Sequence, residues 1–511
     1  MLLENMLYME RKFDMNLANN LVQNYKKIPN KICIIQNNDI VTYKELYNRV
    51  SRFADLLKNK GIKQGSNVLV LVPMSIELYV TLLAIWSIGA TACFMDAGFI
   101  KNGMKKNKFE EINSVIGITQ YLIYSKLNKN LKEVELKINV NEIKKLEDDR
   151  ELEIREVDEI YPAILTYTSG TTGTSKIAAR SHKFLSIQGN ILKECLNYEE
   201  NDIELSSIPI FTLSNIDIGI TTCIADAKFS NLGNSNAKKL INQIVKEKIN
   251  RLMAAPGLLN LITRYCIKKF IKIENIRKIF TGGGAIFLDF IDDLKKVFPN
   301  AKIVTLYGST EAEPIAELDI ENMTEEDIKR IKNGSGILAG NIIGVEECQI
   351  IKTGIQEIGD LSKNEFDELI TNDVGEIVVS GKNVLKSYVN GIGDKENKFS
   401  VDGKKYHRTG DLGYIDEENN LWLRGRIKEP FFNIEAALHA YFKIGKTAVF
   451  KNDDKIILVL ERSNLISEKD IKQAILFEKI DEIKYVKKIP VDKRHSTKVD
   501  YKELRKILKM E

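Results

Sequence analysis

Short apolar runs alternate along this chain with segments of helical periodicity, and that alternation specifies a layered α/β fold with parallel strands. Between Val68 and Phe94 the sequence reads as strand Val68–Val72, helix Ile76–Ile88 and strand Ala90–Phe94. Pro73 and Glu77 interrupt this most apolar stretch, so no 18-residue apolar run remains and no membrane span is expected. Ile160–Tyr167, Ile276–Phe280 and Ile303–Tyr307 are further expected strands, each running toward small or hydroxyl-bearing residues. In parallel α/β sheets, ligands collect beyond the carboxyl ends of strands. A helix is expected from near Ser181, with Leu185, Ile191, Leu192 and Cys195 at helical spacing. Further on, Gly375–Gly381 and Gly413–Leu423 read as short strands with turns, hence a β-rich subdomain. Beyond Arg424 the elements are small and mixed. Ser467 with Asp470 suits a helix cap, Lys484–Ile489 a strand and Tyr501–Lys509 a final helix. A domain boundary is expected near Gly425–Pro430.

Charge and cysteine usage narrow the function class. The chain has 511 residues, enough for two to four structural units, with 75 Lys+Arg against 71 Asp+Glu. A net charge of +4 gives no argument for a nucleic-acid partner. The six cysteines stand singly, without a CxxC pair, and read as buried free thiols rather than a zinc site or disulfide frame. Met1 to Leu17 carries acids and bases throughout and has no apolar core of a signal peptide, so a cytoplasmic location is the expectation.

Five segments could carry chemistry. Thr166–Lys176 (TYTSGTTGTSK) follows an expected strand, with Thr168, Ser169, Gly170, Thr171, Thr172 and Gly173 ahead of Lys176. Glycines let backbone approach an anion, and hydroxyls with backbone N–H groups can surround phosphate oxygens. It is not a Walker A loop, because Ser175 precedes Lys176 and Ile177 follows it. Tyr307–Glu311 (YGSTE) offers a ring for a purine, a hydroxyl at Thr310 and a carboxylate at Glu311 suited to Mg²⁺. Thr281–Ala285 (TGGGA) and Arg408–Asp411 (RTGD) are weak alone; the first could be a tight turn, the second a turn whose carboxylate chelates ribose hydroxyls or is a plain turn residue. Ile489–Asp500 (IPVDKRHSTKVD) taken singly is a solvated basic stretch around Lys498. His182, His407 and His439 read as packed or surface residues, and Trp86 and Trp422 as core.

Together and in this order, the segments resemble the adenylate-forming superfamily of acyl-CoA synthetases, peptide-synthetase adenylation domains and luciferases. The resemblance covers about Tyr43 to Leu508. It implies a large N-terminal domain, residues 1–425, with parallel α/β sheets and a β-rich subdomain. A small mobile α+β domain, residues 426–511, would follow, hinged near 426–430 with Lys428 at the hinge position. It implies that Thr168, Ser169, Gly170, Thr171, Thr172, Gly173 and Lys176 form the phosphate loop. Gly283, Gly284 and Ala285 would line the adenine and acyl sites, Tyr307 with Gly308 would meet adenine, and Asp411 and Arg426 would hold the ribose. Thr310 would touch the α-phosphate, Glu311 would bind Mg²⁺, and Lys498 would be the catalytic lysine of the small domain. The implied activity is ATP-dependent conversion of a carboxylic acid to acyl-AMP with release of pyrophosphate, followed by transfer to CoA or to a carrier-protein thiol.

Within the superfamily, IPVDKRHSTKVD, Ile208–Thr222 and Met253–Ile262 are similar to olefin-biosynthesis β-lactone synthetases and their acyl-CoA-ligase-like relatives. Some positions depart from the family pattern. Ser175 stands for the usual proline, Ile177 for the usual glycine, and Gly340–Gly344 lacks a proline. Arg426 runs through Pro430 to Asn433 in few residues, without the longer glycine-containing turn that presents the small domain for thioester formation. A β-lactone synthetase acting on a 3-hydroxy acid needs no thiol and fits this shortening. An amino-acid adenylation enzyme is the reading if Asp217 faces the substrate. A non-catalytic nucleotide- or acyl-binding member is the third alternative, against which stand Lys176, Glu311, Asp411, Arg426 and Lys498.

Overall fold

The computed structural model describes residues 14–95, 112–128, 131–145, 150–168, 176–228, 235–462, 466–491 and 498–510, with Thr168 described only in its backbone. The chain forms two compact units. The first comprises Met1–Tyr198, Thr212–Ile224 and Ser387–Asp394; the second Glu199–Phe211, Ala225–Lys386 and Lys395–Glu511. No described helix is long and apolar enough to cross a membrane.

The first unit is built on a six-stranded sheet in the order Lys176–Ser181, Pro162–Thr168, Thr91–Met95, Asn67–Leu71, Ser114–Gly117, Leu136–Asn139. Lys176–Ser181 runs antiparallel to its neighbour and the other pairings are parallel. The expected strand–helix–strand appears as Asn67–Leu71, Ile76–Ser87 and Thr91–Met95. Ser75 caps the helix by accepting from the Leu78 N–H. The helix is apolar on all sides and buried almost throughout, as a core helix must be. Trp86 is fully buried, and its indole N–H donates to the Ala163 carbonyl at 2.9 Å. Ser181 caps the expected helix, which spans His182–Leu196.

The second unit carries a mixed sheet. Ile203–Ser206, Arg251–Met253, Lys278–Gly282 and Lys302–Ser309 are mutually parallel neighbours. Antiparallel pairing then continues through Ala312–Asp319, Ile337–Ile342, Asn420–Arg426, Lys404–Ile415, Gly375–Ser380 and Glu347–Ile351. The parallel strands are joined by helices such as Pro256–Lys269 and Leu288–Val297, and the antiparallel part is the β-rich region foreseen from Gly375 onward. Trp422 is fully buried, with its N–H on Asp416 at 2.7 Å.

Toward the C-terminus, Thr447–Asn452, Lys455–Glu461 and Glu482–Val486 form a separate three-stranded sheet. Strand alternation gives it two cores. Val449, Leu458 and Leu460 pack with Ile434 and Leu438 of helix Phe432–Tyr441, while Phe450, Ile457 and Val459 pack with Leu504 of helix Tyr501–Ile507. Ser467 caps helix Glu468–Ala474 through the Asp470 N–H.

Helix Phe432–Tyr441 buries a line of titratable groups that its sequence does not announce. Glu435 accepts from Thr447 at 3.5 Å, His439 Nε2 lies 3.2 Å from the same hydroxyl, and His439 Nδ1 is 2.9 Å from Asp289. The His439 ring also stacks on Phe287, centroids 4.3 Å apart. Burial lifts the Glu435 carboxyl from the ordinary 4.5 to about 8, against a smaller opposing effect of Thr447. The folded state therefore holds this proton where the unfolded chain has released it. Stability should fall as pH rises from about 4.5 to about 8, with the loss complete above that window. Urea midpoints across this range should show the decline, and Glu435→Gln should flatten it.

Candidate functional site

Asp411 and Arg426 are brought together by strand register. Lys404–Ile415 and Asn420–Arg426 are antiparallel, and Asp411 pairs directly with Arg426. Arg426 Nε lies 2.9 Å from Asp411 Oδ1, and its Nη1 donates to the Thr409 carbonyl at 3.1 Å. Thr409 Oγ1 in turn accepts from the Asp411 N–H at 3.1 Å. The third member comes from a strand over a hundred residues earlier: Tyr307 donates its hydroxyl to Asp411 Oδ2 at 2.8 Å. Burial raises the Asp411 carboxyl above its ordinary value, while Arg426, Tyr307 and Lys498 pull it back. Burial, reinforced by Asp411, holds the Tyr307 hydroxyl well above its ordinary value, so it stays a donor. RTGD was expected as a turn; instead Arg408 to Asp411 lie inside a strand, with Gly410 at φ 71°. Arg408 is a buried anchor, donating through Nε to Glu376 at 2.9 Å and through Nη1 to the Gln356 carbonyl at 3.0 Å.

Parallel pairing also aligns the TGGGA and YGSTE segments. Gly282 is the register partner of Leu306, so Gly283 leaves its strand level with Tyr307 of the neighbouring strand. The approach is close: a Cβ on Gly282 would lie 2.4 Å from the Leu306 carbonyl oxygen, which excludes any side chain. Gly283 turns the chain at φ 80° and is exposed, while Gly284 and Ala285 are half-buried. Gly308, Thr310 and Glu311 are half-buried around the tight connection from Lys302–Ser309 to Ala312–Asp319. The Glu311 N–H donates to Ser309 Oγ at 3.2 Å, and its carbonyl accepts from Leu385 at 2.7 Å.

Lys498 is exposed on the approach to helix Tyr501–Ile507, and its charge is felt at Asp411. The second unit thus assembles Tyr307, Asp411, Arg426 and Lys498 from three distant parts of the sequence. Ser169, Gly170, Thr171, Thr172 and Gly173 lie outside the described residues, and Thr168 ends strand Pro162–Thr168. Lys176 opens the next strand, buried, with Nζ 5.3 Å from the Tyr388 ring centroid and its stem against Gly393. Tyr388 and Thr409 escaped the sequence reading. Thr409 stood in the quoted RTGD, whereas nothing around Tyr388 marked it.

Asp217 turns inward within the first unit. Its carboxyl is hydrogen-bonded to Asn20 and buried near Cys33 and Tyr43, and burial raises it to about 7. His182 is buried as well, accepting from the Leu17 N–H at 3.2 Å, and burial lowers its pKa to about 4. His407 and His439 are also packed. The six cysteines form no disulfide, and all are buried except the half-buried Cys195.

Comparison with known proteins gives this geometry a family. O-succinylbenzoate coenzyme A synthetase from Bacillus subtilis, solved with AMP, superposes with a TM-score of 0.76 at 20% identity, covering 96% of this chain and 98% of that one. ATP-bound MatB from Rhodopseudomonas palustris gives 0.77 at 18% identity, covering 97% and 99%. In sequence, an olefin β-lactone synthetase from Xanthomonas campestris is 25% identical over 76% of this chain and 72% of its own. A 4-coumarate–CoA ligase from Narcissus pseudonarcissus is 24% identical over 94% and 92%. The sequence profile described as AMP-binding enzyme matches residues 21–389, most of the chain, and the protein belongs to this adenylate-forming family of AMP-binding enzymes.

Proposed function

We propose that this enzyme converts a carboxylic acid to acyl-AMP at the expense of ATP, releasing pyrophosphate, and passes the acyl group to the thiol of CoA or of a carrier protein. The observation that carries the reading is the joining of Tyr307, Asp411 and Arg426 into one hydrogen-bonded group within electrostatic reach of Lys498. Asp411 has the acceptor chemistry to take ribose hydroxyls, and Arg426 and Tyr307 fix its orientation. The Tyr307 ring is held by its hydroxyl and by packing against the cluster that contains Ala312 and Ala316, and its half-buried ring would meet the purine. Gly283, Gly284 and Ala285 leave the backbone open beside it.

In the reaction an oxygen of the substrate carboxylate bonds to the α-phosphorus of ATP, and the bond from that phosphorus to the pyrophosphate oxygen breaks. Both reactants are anions, so the residues that matter are those that neutralise charge at phosphorus: Lys498, with the hydroxyl of Thr310. The loop from Thr168 to Gly173, with Lys176, would hold the outgoing phosphates. Glu311 fits Mg²⁺, which takes one or two carboxylates and completes its shell with phosphate oxygens and water. Among the described residues no group of three His, Cys, Asp or Glu forms a closed cage. Bound there, Mg²⁺ would supply charge neutralisation at the phosphates. Residues 426–511, hinged near Lys428, would be the mobile part that delivers Lys498.

A second reading is favoured by one observation. The Arg426 N–H donates to the Glu429 carbonyl, closing a tight turn, and helix Phe432–Tyr441 begins three residues after Glu429. Such a short connection suits an enzyme that needs no thiol, a β-lactone synthetase in which the hydroxyl of a 3-hydroxyacyl-AMP displaces AMP. The inward-facing Asp217 weighs against an amino acid as substrate.

Pyrophosphate release from ATP and Mg²⁺ should be measured with pooled fatty, 3-hydroxy, aryl and amino acids, with and without CoA. Release with one pool is expected. A rise with CoA supports thiol transfer, and sustained turnover on 3-hydroxy acids without CoA supports the lactone. Silence from all pools, with ATP still bound, would favour a binding-only protein. Asp411→Asn should raise the KM for ATP about tenfold to hundredfold, the cost of a lost charge-assisted hydrogen bond, and leave the KM for the acid nearly unchanged. Steady-state kinetics with each substrate varied in turn would separate the two.

A further inference from the structure

A second cationic site lies in the second unit. Helix Pro256–Lys269 and the C-terminal sheet enclose a cleft of about 570 Å³, within the range of small-ligand sites. Four cations border it: Arg264 from the helix, Lys446 ahead of strand Thr447–Asn452, and Lys487 and Lys488 after strand Glu482–Val486. Asn260 adds an amide, and Glu461 is the one lining carboxylate. Glu461 is already engaged, accepting from the Ile489 N–H at 3.1 Å. Like charges do not gather around a common space without cost, and Glu461 is the one lining residue that offsets them.

We propose that this cleft binds a compact polyanion of phosphate chemistry, held between Arg264 and the Lys446–Lys488 pair and separate from the proposed ATP site. Lys446 registers these neighbours: burial lowers its pKa most, Glu461 and Glu435 pull it back up, and Arg264 and Lys488 lower it. An anion seated there would relieve that repulsion and, by bridging parts of the chain some 180 residues apart, would fasten the C-terminal sheet to helix Pro256–Lys269. Arg264 and Lys488 are exposed, so both can be changed without touching the core.

Inorganic tripolyphosphate, titrated calorimetrically into the full chain at low ionic strength without Mg²⁺, is the probe. Lys176→Ala serves as the control for binding at the proposed phosphate loop. We expect a binding event that survives Lys176→Ala and weakens at least about tenfold in R264Q/K488Q, the loss of two charge-assisted contacts. It should also weaken with added salt. Acid-dependent pyrophosphate release in R264Q/K488Q should stay near wild type, which reports an intact fold and separates failure here from failure of the proposed function. Binding abolished by Lys176→Ala but unchanged in R264Q/K488Q would overturn the proposal. So would no heat up to about 1 mM probe, the affinity floor of a useful site.

Discussion

Lys498→Ala is expected to slow acid-dependent pyrophosphate release about 10²- to 10³-fold, the usual consequence of removing one preorganised group that meets developing charge. The side chain is exposed, so little packing is lost and the melting temperature should hardly move. Its charge reaches Asp411 across the site, which gives a second readout. Removing it withdraws one of the influences that lower the Asp411 carboxyl, so the acidic limb of the pH–rate profile should shift upward. ATP affinity, set in this reading by Tyr307, Asp411 and Arg426, should change much less than the rate. A fall in ATP affinity matching the fall in rate would instead make Lys498 a ground-state binding residue. An unchanged rate would remove it from the chemistry.

The strands and helices were legible because buried strands and capped helices leave local marks. Asn67–Leu71, Lys278–Gly282 and Lys302–Ser309 lie within two residues of where apolar runs placed them, and Ser181 and Ser467 cap the helices they precede. The candidate site residues stood out as motifs, but the joining of Tyr307 to Asp411 was not legible. That Tyr307 meets Asp411 depends on the pairing of successive strands from Lys302–Ser309 across to Lys404–Ile415, and strand order is not a local property. RTGD does not end a strand for the same reason: glycine and aspartate mark turns locally, but here the segment is an irregularity within strand Lys404–Ile415, with Gly410 left-handed and pairing resumed at Arg408 and Leu412. In the chain of Glu435, Thr447, His439 and Asp289, only Glu435 and His439 are linked by local spacing, four apart on one helix; Thr447 and Asp289 join them through tertiary packing. The basic cleft is similar, because Arg264 and Lys446 are far apart in sequence and ordinary in composition.

Arg251→Met should cost about 3–5 kcal/mol of stability, since it removes the cation from a buried cluster of charges. Arg251 is fully buried within the parallel sheet. Its Nη1 lies 3.1 Å from Asp202, its Nε lies 3.6 Å from Glu204, and its guanidinium sits 5.0 Å over the Phe280 ring. Asp202 keeps Arg277 at 3.0 Å in the variant, whereas the fully buried Glu204 loses the guanidinium 3.6 Å away. At roughly 2–4 °C per kcal/mol for a unit of this size, the melting temperature should drop by about 10 °C. Neutralising the acids together with the arginine, as R251M/D202N/E204Q, should recover much of the loss, because the cost comes from uncompensated charge rather than lost attraction. The damage should also reach the site. Phe280 belongs to strand Lys278–Gly282, which sets the Gly283 turn level with Tyr307. Loosening that strand should raise the KM for ATP in Arg251→Met below its melting temperature and leave it near wild type in the triple variant. If the triple variant were as unstable as the single one, the packing of Arg251 on Phe280, and not its charge, would be what holds these strands in register.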